Sequence, residues 1–366
     1  MKISMVDLKR QYLNIKKEID EAIQEVLDST QFILGKQVGE LECECSKYLG
    51  VKYAVACANG TEALQIALMA LGLKPGDEVI TTPFTFVATT ETIALLGGIP
   101  VYVDIEEDSF NIDATKIEAA ITPKTKGIIP VHLYGQAADM DPILEIAKKY
   151  NLWVIEDMAQ AFGTEYKGKK VGGFGDIAAT SFFPSKNLGC YGDGGMMFTN
   201  DEELYKKIKM IANHGSKERY VHETLGLNSR LDTIQAAILK VKLKYIDIYN
   251  QTRYENATLY NQEFKDSKVK TPSIKNYSNH IFHQYTIRTD KREELREHLS
   301  KKGIPFGVYY PIPLHQQPAF KNLGGKVYNL PVTEKAAKEV ISLPMFPELS
   351  KEEIIYIAIS VKEVTG

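Results

Sequence analysis

The sequence has few of the features that mark secreted, membrane-spanning or nucleic-acid-binding proteins. Four cysteines among 366 residues are too few for the disulfide framework of a secreted protein. No apolar run approaches the roughly 20 residues that span a bilayer, and the N-terminal stretch MKISMVDLKRQYLNIKKEID lacks the apolar core of a signal peptide. The formal net charge of -3, without a marked basic stretch, argues against nucleic acid as a partner. We therefore expect a soluble, cytoplasmic protein.

The cysteines and histidines are not spaced as metal ligands. Cys43 and Cys45 are two residues apart on a predicted helix, where such neighbours do not share a face. The seven histidines form no HExxH motif. We therefore expect no metal site, and reduced thiols that act as small apolar fillers.

Short β-branched segments alternate with amphipathic helices five times between about residues 50 and 160. This pattern is typical of βαβ units in a mostly parallel sheet. Two further strands, IAATSFF and GGMMFT, follow with glycine turns between them. One of the intervening helices is predicted in ATKIEAAI. The sequence thus predicts an α/β protein whose sheet has seven strands.

The pattern changes after residue 200. A long helix is predicted from Asp232 to about Phe264. Beyond it, QYTIRT and VYYPIP are predicted strands, and REELREHLSKKG, EKAAKEVI and KEEIIYIAISVKE are predicted helices. We therefore predict a large α/β domain over residues 1–240. The long connecting helix and a small C-terminal α+β domain occupy residues 241–366.

Two polar stretches follow predicted strands at the edge of the sheet where α/β proteins bind ligands. In CANGTEAL, Gly60 and Thr61 open a helix, whose free N–H groups favour either a phosphate or a simple N-cap. No GxGxxG or GxxxxGK[ST] motif is present there. In WVIEDMAQ, Asp157 ends an apolar strand and Gln160 follows. This carboxylate either pairs with a cation, such as a protonated ring nitrogen, or caps the next helix.

Two further stretches carry cationic side chains. In TSFFPSKNLGCYGDGG, Ser181 and Lys186 follow an apolar strand. A partly desolvated lysine can attack a carbonyl group and form a Schiff base, whereas an exposed loop lysine has no such role. In GLNSRLDTIQAA, Asn228 and Arg230 precede a helix. The arginine suits bidentate binding of carboxylate or phosphate, and the alternative is a role at the helix terminus.

Together these stretches supply a phosphate cradle, a carboxylate for a ring nitrogen and a Schiff-base lysine, in that chain order. Pyridoxal 5'-phosphate (PLP) requires this combination of groups. Phe86, in PFTFVATT, is the best candidate for an aromatic ring that stacks on the cofactor. The sequence therefore predicts a PLP enzyme.

Along nearly its whole length the sequence resembles the sugar aminotransferases of the DegT/DnrJ/EryC1/StrS family. The motifs ANGTEAL, PGDEVITTPFTFVAT, VIEDMAQAFG, TSFFPSKNLGCYGDGG, NSRLDTIQAAIL and YPIPLHQQPA stand in family order. The resemblance implies the type I (aspartate aminotransferase) fold of PLP-dependent transferases, with a mostly parallel seven-stranded large domain and a small C-terminal α+β domain. Within the family it is most similar to enzymes that aminate a UDP-linked 2-acetamido-3-keto sugar or uronic acid.

The resemblance also implies a role for each candidate residue. Lys186 is the Schiff-base lysine and moves the proton, Asp157 pairs with the pyridinium nitrogen, and Gln160 lies near the ring hydroxyl. The other implied roles are phosphate binding by Gly60, Thr61 and Ser181, a reach into the partner subunit's site by Asn228 and Arg230, and substrate binding by Tyr309 and His315. For His315 a structural role in its loop is an equal alternative.

The implied reaction transfers an amino group from L-glutamate to C3 of a 3-keto nucleotide sugar for surface polysaccharide such as O-antigen. A homodimer with shared active sites would perform it. Relatives that act on the uronic acid are expected to carry His-Tyr before PIPL, where this chain has Tyr309 and Tyr310. A dTDP-linked 3-keto-6-deoxy sugar therefore stays open. Family dehydratases carry histidine in place of the lysine, so Lys186 favours transamination over dehydration or a non-enzymatic regulatory role.

Overall fold

The computed structural model describes residues 3–366. Its helices are α1 Leu8–Asn14, α2 Lys16–Ser29, α3 Lys36–Leu49, α4 Gly60–Ala70, α5 Ala88–Leu95, α6 Met140–Tyr150, α7 Glu202–Ala212, α8 Thr233–Leu243, α9 Ile246–Glu263, α10 Arg292–Lys301, α11 Pro331–Glu339 and α12 Lys351–Thr365. Its strands are β1 Tyr53–Cys57, β2 Glu78–Thr81, β3 Ile99–Tyr102, β4 Thr125–Ile129, β5 Trp153–Asp157, β6 Glu165–Tyr166, β7 Lys169–Lys170, β8 Ile177–Ser181, β9 Gly195–Thr199, β10 Ser216–Glu218, β11 Val221–His222, β12 Tyr285–Arg288 and β13 Val340–Leu343.

The large sheet has seven strands in the order β1–β9–β8–β5–β4–β2–β3. The strands run parallel except β9, which is antiparallel to both β1 and β8. Neighbouring residues of β5 belong to different apolar cores, since Val154 packs on one face and Ile155 on the other. Helices cover both faces, as expected for a parallel sheet buried on both sides. The predicted mostly parallel, seven-stranded sheet is confirmed.

A separate apolar core forms around the antiparallel pair of β12 and β13. It contains Tyr260 of α9, Leu295 of α10 and Ile357 of α12. At the start of α9, Ile246 instead packs into the core of the large sheet. The proposed domain boundary at residue 240 falls within α8 and stays a prediction.

The structure corrects two helix predictions. ATKIEAAI forms two single 3-10 turns, Ala114–Lys116 and Glu118–Ala120, the first of which is capped by Asp113. The long helix predicted from residue 232 is interrupted between α8 and α9, where the N–H groups of Lys244 and Tyr245 bond to carbonyls three residues back. The interruption lets α8 pack against α2 and α3 while α9 packs against α12.

A strand prediction was also wrong, and one helix was placed too far along the chain. VYYPIP is an irregular loop, because its two prolines have no N–H group to donate to a strand partner. In EKAAKEVI, the last two residues belong to β13, so α11 ends at Glu339.

Two further expectations concern the burial of the cysteines and the length of the apolar helices. Cys45, Cys57 and Cys190 are buried free thiols, as expected of apolar fillers, whereas Cys43 is exposed. Within residues 3–366, no helix is both long enough and apolar enough to cross a membrane.

Candidate active site

A cavity of about 940 Å³ opens at the carboxyl ends of β5 and β8, beneath the loop that contains Tyr309. Eight of the eleven residues singled out from the sequence line it: Gly60, Thr61, Phe86, Asp157, Gln160, Ser181, Lys186 and Tyr309. The α/β topology brings all of them except Tyr309 together, because parallel strands end at one edge of the sheet. Tyr309 comes from the segment between α10 and α11.

Asp157 is buried at the end of the central strand β5. One carboxylate oxygen accepts a 2.8 Å hydrogen bond from the Thr89 hydroxyl, and the other accepts one of 3.1 Å from the Ala159 N–H. Burial raises the pKa of this carboxyl group, while these hydrogen bonds and the charge of Lys186 act in the opposite direction. No helix begins directly after Asp157, so the helix-capping alternative is wrong. A buried carboxylate of this kind calls for a cationic partner.

Lys186 lies half-buried in the wall of the same cavity. Its backbone N–H donates to the carbonyl of Phe183 at 2.8 Å. The loop around it is closed by a 2.8 Å bond from the Cys190 N–H to the Phe182 carbonyl. Burial lowers the pKa of Lys186 to about 8, and the Asp157 carboxylate partly opposes this shift. The structure therefore places this amine in a cavity, where a useful fraction is neutral and nucleophilic near neutral pH.

The N-terminus of α4 faces Ser181 across a close contact. A Cβ atom added to Gly60 would lie 2.6 Å from the Cβ of Ser181, so only glycine permits this approach. Asn59 caps the helix by accepting a 2.8 Å hydrogen bond from the Glu62 N–H. Gly60 and Thr61 line the cavity together with Ser181, and the N–H groups of a helix's first turn have no partner within the helix, an arrangement suited to a phosphate.

Gln160 is held at the cavity wall by both ends of its amide. Its oxygen accepts a 2.9 Å hydrogen bond from the Tyr134 N–H, and its nitrogen donates to the Tyr310 hydroxyl at 3.1 Å. Phe86 lines the cavity with 55% of its surface exposed, and its ring centroid lies 6.5 Å from that of Tyr310. An exposed aromatic ring in a cavity is ready to stack on a planar ligand.

The groups around the cavity fit PLP. The amides and hydroxyl beside Gly60 suit its phosphate, Asp157 suits its ring nitrogen, Lys186 suits its aldehyde carbon, and Phe86 suits its ring face. When bound, PLP supplies an electron-accepting ring on which an amino group can be exchanged for a carbonyl oxygen.

The remaining three candidates lie outside the cavity lining. Asn228 is exposed and pairs with Asn213 through a backbone bridge, and Arg230 is half-buried just before α8. His315 is buried, with its Nε2 3.3 Å from a carboxylate oxygen of Glu334. Its position favours the structural role in the loop over a contact with substrate.

The sequence reasoning assigned no role to four residues of the site. Thr89 holds Asp157, and Tyr310 holds Gln160. His283 and Gln284 line the cavity from the segment that leads into β12. Thr89 ends the motif PGDEVITTPFTFVAT and Tyr310 begins YPIPLHQQPA, so both were within reach of the sequence, whereas His283 and Gln284 lie outside the quoted motifs.

The model of the DegT/DnrJ/EryC1/StrS aminotransferase family matches residues 13–362. A Geobacillus stearothermophilus relative, a "pleiotropic regulatory protein", is 52% identical over 99% of this chain and 98% of its own. The Pseudomonas aeruginosa UDP-2-acetamido-2-deoxy-3-oxo-D-glucuronate aminotransferase is 52% identical over 96% and 97% of the two chains. The Acidithiobacillus ferrooxidans UDP-N-acetyl-3-dehydro-alpha-D-glucosamine 3-aminotransferase is 46% identical over 97% and 96%.

Solved structures that superpose on this chain include members of the same family. A Brucella abortus DegT/DnrJ/EryC1/StrS aminotransferase superposes with a TM-score of 0.96 at 40% identity, over the full length of both chains. The Bacillus subtilis protein NtdA, solved with bound cofactor PMP, superposes with a TM-score of 0.88 at 35% identity, over 96% of this chain and 82% of its own. These matches confirm the predicted type I fold and cofactor. The chain belongs to the DegT/DnrJ/EryC1/StrS aminotransferase family, whose enzymes depend on PLP.

Proposed function

We propose that the protein transfers an amino group from L-glutamate to C3 of a UDP-linked 2-acetamido-3-keto-glucose or -glucuronic acid. The observation that carries the proposal is that Lys186, Asp157 and the turn at Gly60 line one cavity. At about 940 Å³, this cavity has room for a sugar beside a cofactor. Relatives at 52% and 46% identity carry the names of aminotransferases for these two sugars.

In this proposal Lys186 is the acid–base group of both half-reactions. With a pKa lowered to about 8, its amine can accept a proton from the donor and return it to the acceptor without a large energetic cost. Asp157 keeps a positive charge on the ring nitrogen, because an uncompensated carboxylate at this buried position would be unfavourable. Gln160, whose amide is held at both ends, keeps the side of the cavity next to Tyr310 in place.

The partner subunit would complete the site in a homodimer. Asn228 and Arg230 precede α8, whose Thr233 N–H donates to the Phe32 carbonyl at 3.0 Å. The neighbouring residues Phe32, Ile33 and Leu34 expose 44%, 48% and 60% of their surface. Contiguous exposed apolar residues of this kind suit a subunit interface. If the partner subunit covers them, Asn228 and Arg230, which precede the helix bonded to Phe32, would lie near the partner's cavity. We place the enzyme in the cytoplasm, in the assembly of a surface polysaccharide such as O-antigen.

A dTDP-linked 3-keto-6-deoxy sugar is the second candidate substrate. Relatives of 42% and 39% identity are named as transaminases of dTDP-linked 3-amino sugars. Tyr309 and Tyr310 line the cavity where the His-Tyr expected for the uronic acid would stand, and neither tyrosine adds a cation for a sugar carboxylate. These two tyrosines favour a sugar whose C6 group is neutral.

The test is to incubate the PLP-loaded enzyme with L-glutamate and each of these keto sugars separately. We expect equal amounts of 2-oxoglutarate and of a 3-amino nucleotide sugar, measured by coupled assay and mass spectrometry. A dehydrated sugar formed without consumption of glutamate would contradict the proposal, as would a purified protein that binds no PLP.

A further inference from the structure

His283 is a buried imidazole in the wall of the catalytic cavity. Its Nδ1 lies 3.2 Å from the side-chain oxygen of Asn187, the residue that follows Lys186 in the chain. This contact joins the imidazole to the residue next to the catalytic lysine, although 96 positions separate His283 from Asn187 in sequence.

The surrounding hydrogen bonds determine which ring nitrogen of His283 carries the proton. The Asn187 side-chain nitrogen donates to the Asn250 side-chain oxygen at 2.7 Å and to the Ile281 carbonyl at 3.2 Å. Asn250 is oriented in turn by its 3.2 Å donation to the Phe162 carbonyl. The Asn187 oxygen that faces His283 is therefore an acceptor, so Nδ1 is the protonated nitrogen and Nε2 bears a lone pair.

The ring stays neutral in this position. Burial holds the pKa of His283 well below its ordinary value, and the positive charges of Lys186 and Arg253 act in the same direction. A neutral imidazole whose Nδ1 donates to Asn187 can only accept at Nε2. The amide nitrogen of Gln284 lies 3.5 Å from Nε2, which is too long for a strong hydrogen bond.

We propose that His283 and Gln284 together bind the sugar hydroxyl next to the carbon that exchanges its amino group. The hydroxyl donates its proton to Nε2 of His283 and accepts from the amide of Gln284, a pairing that matches the donor and the acceptor of one O–H group. The inference rests on the proposed function. Because C3 must reach Lys186 and C2 carries the acetamido group, the neighbouring hydroxyl is the one on C4.

The test compares two amino donors in the reverse reaction, with 2-oxoglutarate as the acceptor. They are UDP-2-acetamido-3-amino-2,3-dideoxyglucose and its 4-deoxy analogue. We expect the PLP-loaded wild-type enzyme to show a kcat/KM about tenfold lower for the 4-deoxy sugar, the effect of one lost hydrogen bond. The variant His283→Phe should use both sugars at the same low efficiency. Its KM for glutamate and the visible absorbance of its lysine-bound cofactor should stay unchanged, which a merely structural role would not predict.

His280→Phe is the matched control. His280 is also buried and also has a pKa lowered by burial, to about 3, but it lies outside the cavity lining. We expect this variant to keep the wild-type preference for the 4-hydroxyl. His283→Gln, which keeps an acceptor and a similar length, should recover part of the preference and serves if the phenylalanine variant does not fold.

Two results would overturn the inference and leave the proposed function intact. One is a wild-type enzyme that treats the two sugars alike, a measurement that needs no variant. The other is a folded His283→Phe enzyme that still prefers the 4-hydroxyl tenfold. If the wild-type enzyme exchanges the amino group of glutamate but not that of the 4-hydroxyl sugar, the proposed substrate is wrong and the inference fails with it.

Discussion

The hydroxyl of Thr89, at the start of α5, donates a 2.8 Å hydrogen bond to the carboxylate of Asp157 at the end of β5. Both side chains are buried. The pair links a helix on one face of the sheet to the carboxylate that would hold the cofactor ring. The strength of cofactor binding should therefore depend on a residue that only orients and stabilises Asp157.

We expect Thr89→Val to weaken PLP binding about tenfold, because the Asp157 carboxylate loses a charge-assisted hydrogen bond in a buried setting. Equilibrium dialysis followed by absorbance measures the effect. Thr92→Val is the control, since Thr92 is equally buried in the same helix but its hydroxyl bonds to the Ala88 carbonyl. Equal losses in both variants would show that α5, and not Asp157, is responsible.

Replacing Lys186 with alanine should abolish turnover and the visible absorbance of the lysine-bound cofactor. Lys242 provides an internal comparison, because burial also lowers its pKa to about 8 while its amine bonds to the Gly189 carbonyl. Borohydride reduction of the wild-type enzyme should attach PLP to the Lys186 peptide and not to the Lys242 peptide, as read by mass spectrometry. Measurable transamination by Lys186→Ala would refute the assignment.

The rate at which the cofactor-free protein captures PLP should rise with pH, reach half of its maximum near pH 8 and level off above about pH 9. Only the neutral amine attacks the aldehyde, and burial lowers the pKa of Lys186 to about 8, so about nine tenths of the amine is neutral at pH 9. Stopped-flow absorbance gives the profile. A rate that keeps rising towards pH 10 would mean that Lys186 titrates like an ordinary exposed lysine.

Mixed dimers test the shared active site. We expect Lys186→Ala and Arg230→Ala to be inactive alone, whereas subunits unfolded together and refolded as a mixture should regain about a quarter of the wild-type activity. Half of the randomly formed dimers are mixed, and each has one site with an intact Lys186 and an intact partner arginine. No recovery in a mixture that forms dimers would place Arg230 in its own subunit's site.

Asp104 should be important for stability. This buried carboxylate accepts hydrogen bonds from the N–H groups of Val332 and Thr333, at 3.1 and 2.9 Å, and so caps α11. Asp104→Ala should lower the free energy of unfolding by about 2 kcal/mol, measured by urea denaturation. Asp113→Ala removes a cap from a single 3-10 turn near the surface and should cost less than half as much. Equal costs would contradict the special role of Asp104.

The sequence alone determined the order of the elements and the chemistry at the edge of the sheet. Alternating β-branched and amphipathic segments require a parallel sheet covered on both faces. In such a sheet Asp157, Ser181 and the turn at Gly60 meet at one edge, because each stands where a strand ends or a helix begins. The sequence could predict that these residues lie together, because the end of a strand or the start of a helix fixes the place of each.

Only the tertiary structure decided which residues from distant segments complete the cavity. His283 reaches Asn187 because the segment before β12 folds back over the Lys186 loop, and His315 turns away from the cavity to meet Glu334. Neither position follows a helical or strand period that a sequence could reveal. The pKa of Lys186 likewise depends on burial, and burial is a property of the packed chain rather than of the residues next to it in sequence.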